Sequence, residues 1–147
     1  MSDARLDDDA PAAGSFDAKT VEAVGKLTEA MEVAEVARGH LYEFHRMSGT
    51  ADFAVERAAE LLRGAGHHDL ADRLEQELIG RNVLPGRWTF QIVEEYEATY
   101  YRPFQAFEEQ SRELVGGLRH LHEAELKRAR RSRRRPGHEA APDERAR

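Results

Sequence analysis

The sequence predicts an all-α protein: a long antiparallel helical hairpin with a short helix-turn-helix packed across one end, close to a four-helix bundle. Three observations carry this. Apolar residues recur every three or four positions through the middle of the chain. No run of four or more residues alternates in the manner of a strand. The segments "MSGT", "GAG" and "GRNVLPG" punctuate the pattern at helix-length intervals.

The first helix is expected over about 16–47. Ser15 or Asp17 can cap its free amides, and Gly49 offers the left-handed conformation that ends a helix. Val24, Leu27, Met31, Ala34, Leu41 and Phe44 share its apolar face, while Glu32, Glu35, Glu43 and Arg46 lie on or near the opposite one. Thr50 and Asp52 open a second helix, with Ala54, Ala58, Leu61, Leu62 and Ala65 inward, which closes at Gly64–Gly66. Asp69 starts a third, in which Leu70, Leu74, Leu78 and Ile79 form the apolar stripe. Nothing recurs about 34 residues away from this helix pair, so the chain is not a repeat array.

The fourth helix is expected over about 89–131. Pro85-Gly86 suits the centre of a type II turn, and Thr89 can cap the amides that follow. Trp88 then precedes the cap and meets Val93 as a hydrophobic staple. Val93, Tyr96, Tyr100, Phe104 and Phe107 continue through Leu114, Leu118 and Leu121 as one stripe, so the aromatic cluster reads as core rather than as a ligand platform. Pro103 should kink this helix or interrupt it between Tyr101 and Phe104, and Gly116-Gly117 should soften it.

At about 1.5 Å per residue the fourth helix outruns the two short ones and leaves a bare two-helix end. There Val24, Leu27 and Met31 should face Leu114, Leu118 and Leu121. That surface is the expected site of association, with a homodimer as the simplest occupant and a helical partner protein as the other.

With 147 residues, one helical domain over 15–126 is expected between a disordered acidic tail, 1–14, and a basic, largely disordered tail, 127–147. No apolar run approaches the roughly 18–20 residues of a membrane span, there is no cysteine, and the start lacks the basic and apolar regions of a secretory signal. A cytoplasmic address follows. The body is acidic, whereas Lys127, Arg128, Arg130, Arg131, Arg133, Arg134 and Arg135 concentrate positive charge near the end. They suit weak, nonspecific contact with nucleic acid, since no ordered scaffold accompanies them to read bases. The aromatic cluster is excluded from that role by Glu94, Glu95, Glu97, Glu108 and Glu109, which would repel phosphate.

Chemistry is sparse. Di-iron bundles need an inward Glu-x-x-His on each of two helices, but the spacing here is reversed at His40/Glu43, His120/Glu123 and His122/Glu125, so no metal is expected. No glycine-flanked serine elbow and no phosphate-binding loop is present, and no cofactor is expected. The leading expectation is therefore a non-enzymatic interaction or oligomerisation module. The alternative is a small-molecule-binding or catalytic bundle built on His40, Glu97 and Tyr100, where the first and fourth helices should adjoin.

Overall fold

The computed structural model describes residues 16–139; Ser15, the expected N-terminal tail and the last part of the basic tail lie outside them. The described chain is all-α, with no strand. It comprises α1 (Ala18–Gly64), α2 (His68–Glu77), α3 (Thr89–Tyr96), a π-helical turn (Glu97–Tyr101), α4 (Arg102–Glu113) and α5 (Leu121–Arg130). No described helix is long and apolar enough to cross a membrane. The chain divides into two compact units: Val33–Pro103, and the residues up to Glu32 together with those from Phe104.

Asp17 caps α1, accepting hydrogen bonds from the Thr20 amide and hydroxyl at 3.1 Å each. The expected stop at Gly49 does not occur, and α1 runs on for 47 residues. Gly49 is not among the glycines at positive φ. Ser48 and Thr50 donate their hydroxyls back to the carbonyls of Phe44 and Arg46, a bond made inside helices, so Thr50 does not serve as a cap. The real stop is at "GAG", where Gly66 sits at φ +89° and the amides of Gly66 and His67 return to the carbonyls of Arg63 and Leu62.

Continuity changes which residues face inward. The uninterrupted phase places Val55, Ala59 and Leu62 on the inner side, with Ala59 only 1% exposed, and turns Ala54, Ala58, Leu61 and Ala65 outward; Phe44, expected on the apolar face of the first helix, is exposed as well. In α2 the buried residue is Ala71, with Leu74 half-buried and Leu70 exposed; just past its end Leu78 is exposed and Ile79 half-buried. His67 rather than Asp69 holds the cap position of α2, and Asp69 lies in the first turn. Arg63 ties α2 to α1 by reaching Asp72 and Glu75 at 2.7 Å each.

The turn before α3 forms around Gly86 at φ +69°, closed by the Arg87 amide on the Leu84 carbonyl at 3.0 Å. Trp88, not Thr89, is the cap residue, and its amide donates to the side chain of Gln91 at 2.9 Å. The expected staple is absent, because Trp88 is 58% exposed, with its ring against Phe90.

The long fourth helix is interrupted twice. The π-helical turn falls just before Pro103, where the missing amide and the ring's crowding of the preceding turn disrupt ordinary helical bonding. Within it the Arg102 amide bonds to the Glu97 carbonyl, five residues back. This inserts an extra residue and advances the buried positions by one. Tyr101, Glu108 and Val115 are buried, in place of the expected Tyr100, Phe107 and Leu114, which are exposed. At "GG" the helix ends outright: Gly116 and Gly117 have φ +68° and +74°, and their amides return to the carbonyls of Glu113 and Arg112. His120 then takes the left-handed conformation, φ 59°, and opens α5.

In the unit containing both ends of the described chain, Val21, Val24, Val115 and Leu121 form the core, with Phe16 and Leu118 packed against it. Here α1 and α5 approach so closely at Gly25 that an added Cβ would lie 2.8 Å from His122 Cβ. Glu108 is buried, accepting from the Thr28 hydroxyl and Arg112 Nε at 3.0 Å each. In the Val33–Pro103 unit the buried apolar residues are Ala34, Ala59, Ala71, Val93 and Tyr101.

Candidate functional site

Within the Val33–Pro103 unit, the inner face of α1 follows a seven-residue rhythm through Arg38, His45, Asp52 and Ala59. Its polar members each find a partner outside α1. His45 Nδ1 meets the Thr89 hydroxyl at 2.7 Å, and Asp52 accepts the Gly80 amide at 2.8 Å. Arg38 reaches Glu97 through Nε at 2.7 Å and through its terminal nitrogen Nη2 at 2.6 Å.

Arg38 is the hub of this arrangement. Its guanidinium lies 4.5 Å from the centre of the Tyr101 ring and 5.3 Å from that of Tyr42, close enough for cation–π attraction to both. The Tyr42 hydroxyl donates to Glu97 at 3.0 Å, and the Tyr101 hydroxyl donates to Glu35. The hydrogen bond from Arg38, followed by that from Tyr42, holds the Glu97 carboxyl below its ordinary range. The bond to Glu35 and burial push the Tyr101 phenol up. At neutral pH the network therefore contains a committed carboxylate, an arginine and a protonated phenol.

Of the three sequence candidates, Glu97 belongs to this network. His40 is exposed on α1, and Tyr100 is 53% exposed with its ring against Tyr96. The insertion at the π-helical turn puts Tyr101 where Tyr100 was expected. Arg38, Tyr42, Tyr101 and His45 were missed, although the spacing of Arg38, His45 and Asp52 was a readable signal of one polar helix face. No group of three or more His, Asp or Glu among the described residues could hold a metal ion.

Beside Trp88 an open cleft of about 580 Å³ lies between α1 and the α2–α3 connection, lined by Asp52, Val55, Leu78 and Arg81 among others. No protein-family model, curated protein or solved structure matches this chain.

The residues expected to form the association surface divide. Val24, Met31 and Leu121 are buried, Leu27 and Leu118 are half-buried, and Leu114 is 65% exposed. In the basic segment Lys127, Arg128 and Arg130 occupy the last turn of α5, where they complement the helix dipole; Arg131, Arg133, Arg134 and Arg135 follow it.

A different apolar surface stands open. On α1, steps of four and three residues alternate from Val33 through Ala37, His40, Phe44 and Met47. The same rhythm continues through Ala51, Ala54, Ala58 and Leu61 to Ala65, in the turn just past the end of α1. Every one of these residues is exposed, among them Val33 and Met47 at 65% and Leu61 at 58%. Such a repeat traces one stripe on a supercoiling helix, and His40 is its sole polar member.

Proposed function

We propose that this chain is a non-enzymatic helical protein-interaction module whose working surface is the outer stripe of α1. The observation that carries the reading is the exposure of that stripe along its whole length. A continuous apolar face in water is unfavourable at about 25 cal/mol per Å², and a heptad stripe is the form in which one helix presents itself to another. The acidic composition and the cytoplasmic address expected from the sequence fit a module of this kind. A catalytic or small-molecule reading near Tyr100 gains less support, since Glu97 already engages Arg38 and Tyr42.

The reading is tested on the chain at native abundance in extracts of the cells that make it. It should sediment in an assembly larger than the 16.7 kDa chain and shift to the free chain when Met47 and Ala54 are both changed to Glu. A parent that sediments as the free chain in its own extract overturns the reading. The basic segment adds a weak electrostatic contact with nucleic acid to the proposal. Binding should fall steeply with salt and vanish when residues 127–135 are replaced by neutral ones.

A further inference from the structure

The outer stripe of α1 is complementary to itself when reversed, and we infer that its occupant is a second copy of this chain, packed antiparallel with the two-fold axis at the level of Gly49. The inference rests on the interaction-module reading and names the partner.

The stripe is uneven in size: apart from Ala37 its members before Gly49 are bulky, and apart from Leu61 those after it are alanines. Reversal about that level sets Met47 against Ala51 and Phe44 against Ala54. Further out, His40 meets Ala58, Ala37 meets Leu61 and Val33 meets Ala65. Every pair joins a large side chain to an alanine. Interiors pack at near-crystalline density, so volumes that sum evenly along a seam fill it without voids. A parallel pair would stack Phe44 on Phe44 at one end and alanine on alanine at the other, crowding one half and leaving the other hollow.

Charge supports the same register independently. The residues preceding Phe44 and Ala58 on the solvent flank are Glu43 and Arg57. In an antiparallel pair these like-placed flanking positions adjoin, so Glu43 of each copy meets Arg57 of the other, with Thr50 near its own counterpart at the axis. Both residues are exposed, and Arg57 engages only Glu60 on its own helix, at 2.6 Å among the described contacts. The charge pair occurs twice per dimer by symmetry.

The test is a charge-swap cycle on the full chain, read by sedimentation equilibrium with helix content as the control. E43R and R57E alone should each weaken dimerisation about tenfold, from two exposed pairs becoming repulsive, and the double swap should return to within about twofold of the parent. Because the chain has no cysteine, Thr50→Cys gives a second readout: a short bismaleimide should link it to its copy. Val36→Cys should link to Gly64→Cys in a mixture but not to itself. A dimer with no coupling between positions 43 and 57, or one in which Val36→Cys links to itself, overturns the antiparallel register. A purified parent that stays monomeric at about 100 micromolar, far above a micromolar constant, overturns the second copy. If that monomer still joins a larger assembly in cell extract, the interaction-module reading survives without it.

Discussion

Arg38 and Glu97 stand 59 residues apart in the chain, yet they meet through two contacts, at 2.7 and 2.6 Å, with two tyrosine rings flanking the arginine. The pair fastens α1 to the π-helical turn, so it should be cooperative. R38M and E97Q should each lower stability, and the double variant should cost less than the sum of the two, as thermal unfolding would show. Additive losses would mean that the contact contributes nothing of its own.

The same network fixes a pH dependence at both ends. Glu97 is held below its unfolded value, so its contribution is complete above the ordinary carboxylate range and disappears as pH falls through the lowered value. Tyr101 is held above its unfolded value, so its contribution is complete below the ordinary phenol range and is lost as pH rises through the raised one. Stability of the parent minus that of E97Q should therefore shrink in acid. The difference between the parent and Tyr101→Phe should shrink in strong alkali. Differences that stay flat with pH would contradict the assigned contacts.

The one-residue advance after the π-helical turn makes neighbouring residues behave oppositely. Val115→Ala removes buried methyl groups from the core around Val21 and Leu121 and should cost about 1–3 kcal/mol, whereas Leu114→Ala should fall within about 0.5 kcal/mol of the parent. Denaturant titrations of the two variants compare them directly. The reverse ranking would restore the straight helical register.

The fold class, the cap at Asp17, the turn at Gly86 and the stop at Gly66 were legible because each rests on local chemistry. What misled was equally local. Gly49 looked like a stop, but a helix is broken by the whole turn's bonding, and the hydroxyls of Ser48 and Thr50 bond back into it. Pro103 correctly marked a defect, yet whether a helix answers proline with a kink or with an inserted residue depends on packing. That choice moved the buried tyrosine from Tyr100 to Tyr101 and exposed Phe107 and Leu114. The outer stripe of α1 is visible in the sequence only in part, as Phe44, Ala54, Ala58, Leu61 and Ala65, and periodicity alone assigns these apolar residues to the core, because it does not tell a face packed inward from one left open.

Backbone conformation supplies another pair of opposite effects. Gly116 sits at φ +68° with Phe16 Cζ 3.3 Å from the place its Cβ would take, so Gly116→Ala should destabilise by about 1–2 kcal/mol. His120 holds a left-handed φ of 59° without being glycine, so His120→Gly should be neutral or stabilising by up to about 1 kcal/mol. Melting temperatures of the two variants should move apart. A destabilising His120→Gly would show that the imidazole contributes more than its backbone strain costs.

Trp88 should report its exposure directly. Trp88→Ala should cost less than about 1 kcal/mol, and the parent's single tryptophan should emit as a solvated indole, since 58% of the residue is exposed. A loss of about 3 kcal/mol with blue-shifted emission would instead mark a buried anchor.

The most direct test of the central claim is sedimentation velocity of the purified full chain beside Ala54→Glu, which puts a charge opposite Phe44 in the proposed seam. At about 100 micromolar the parent should sediment at twice the 16.7 kDa chain mass and the variant at the single mass, with equal helix content. A parent and a variant that sediment alike would contradict self-association through the outer stripe of α1.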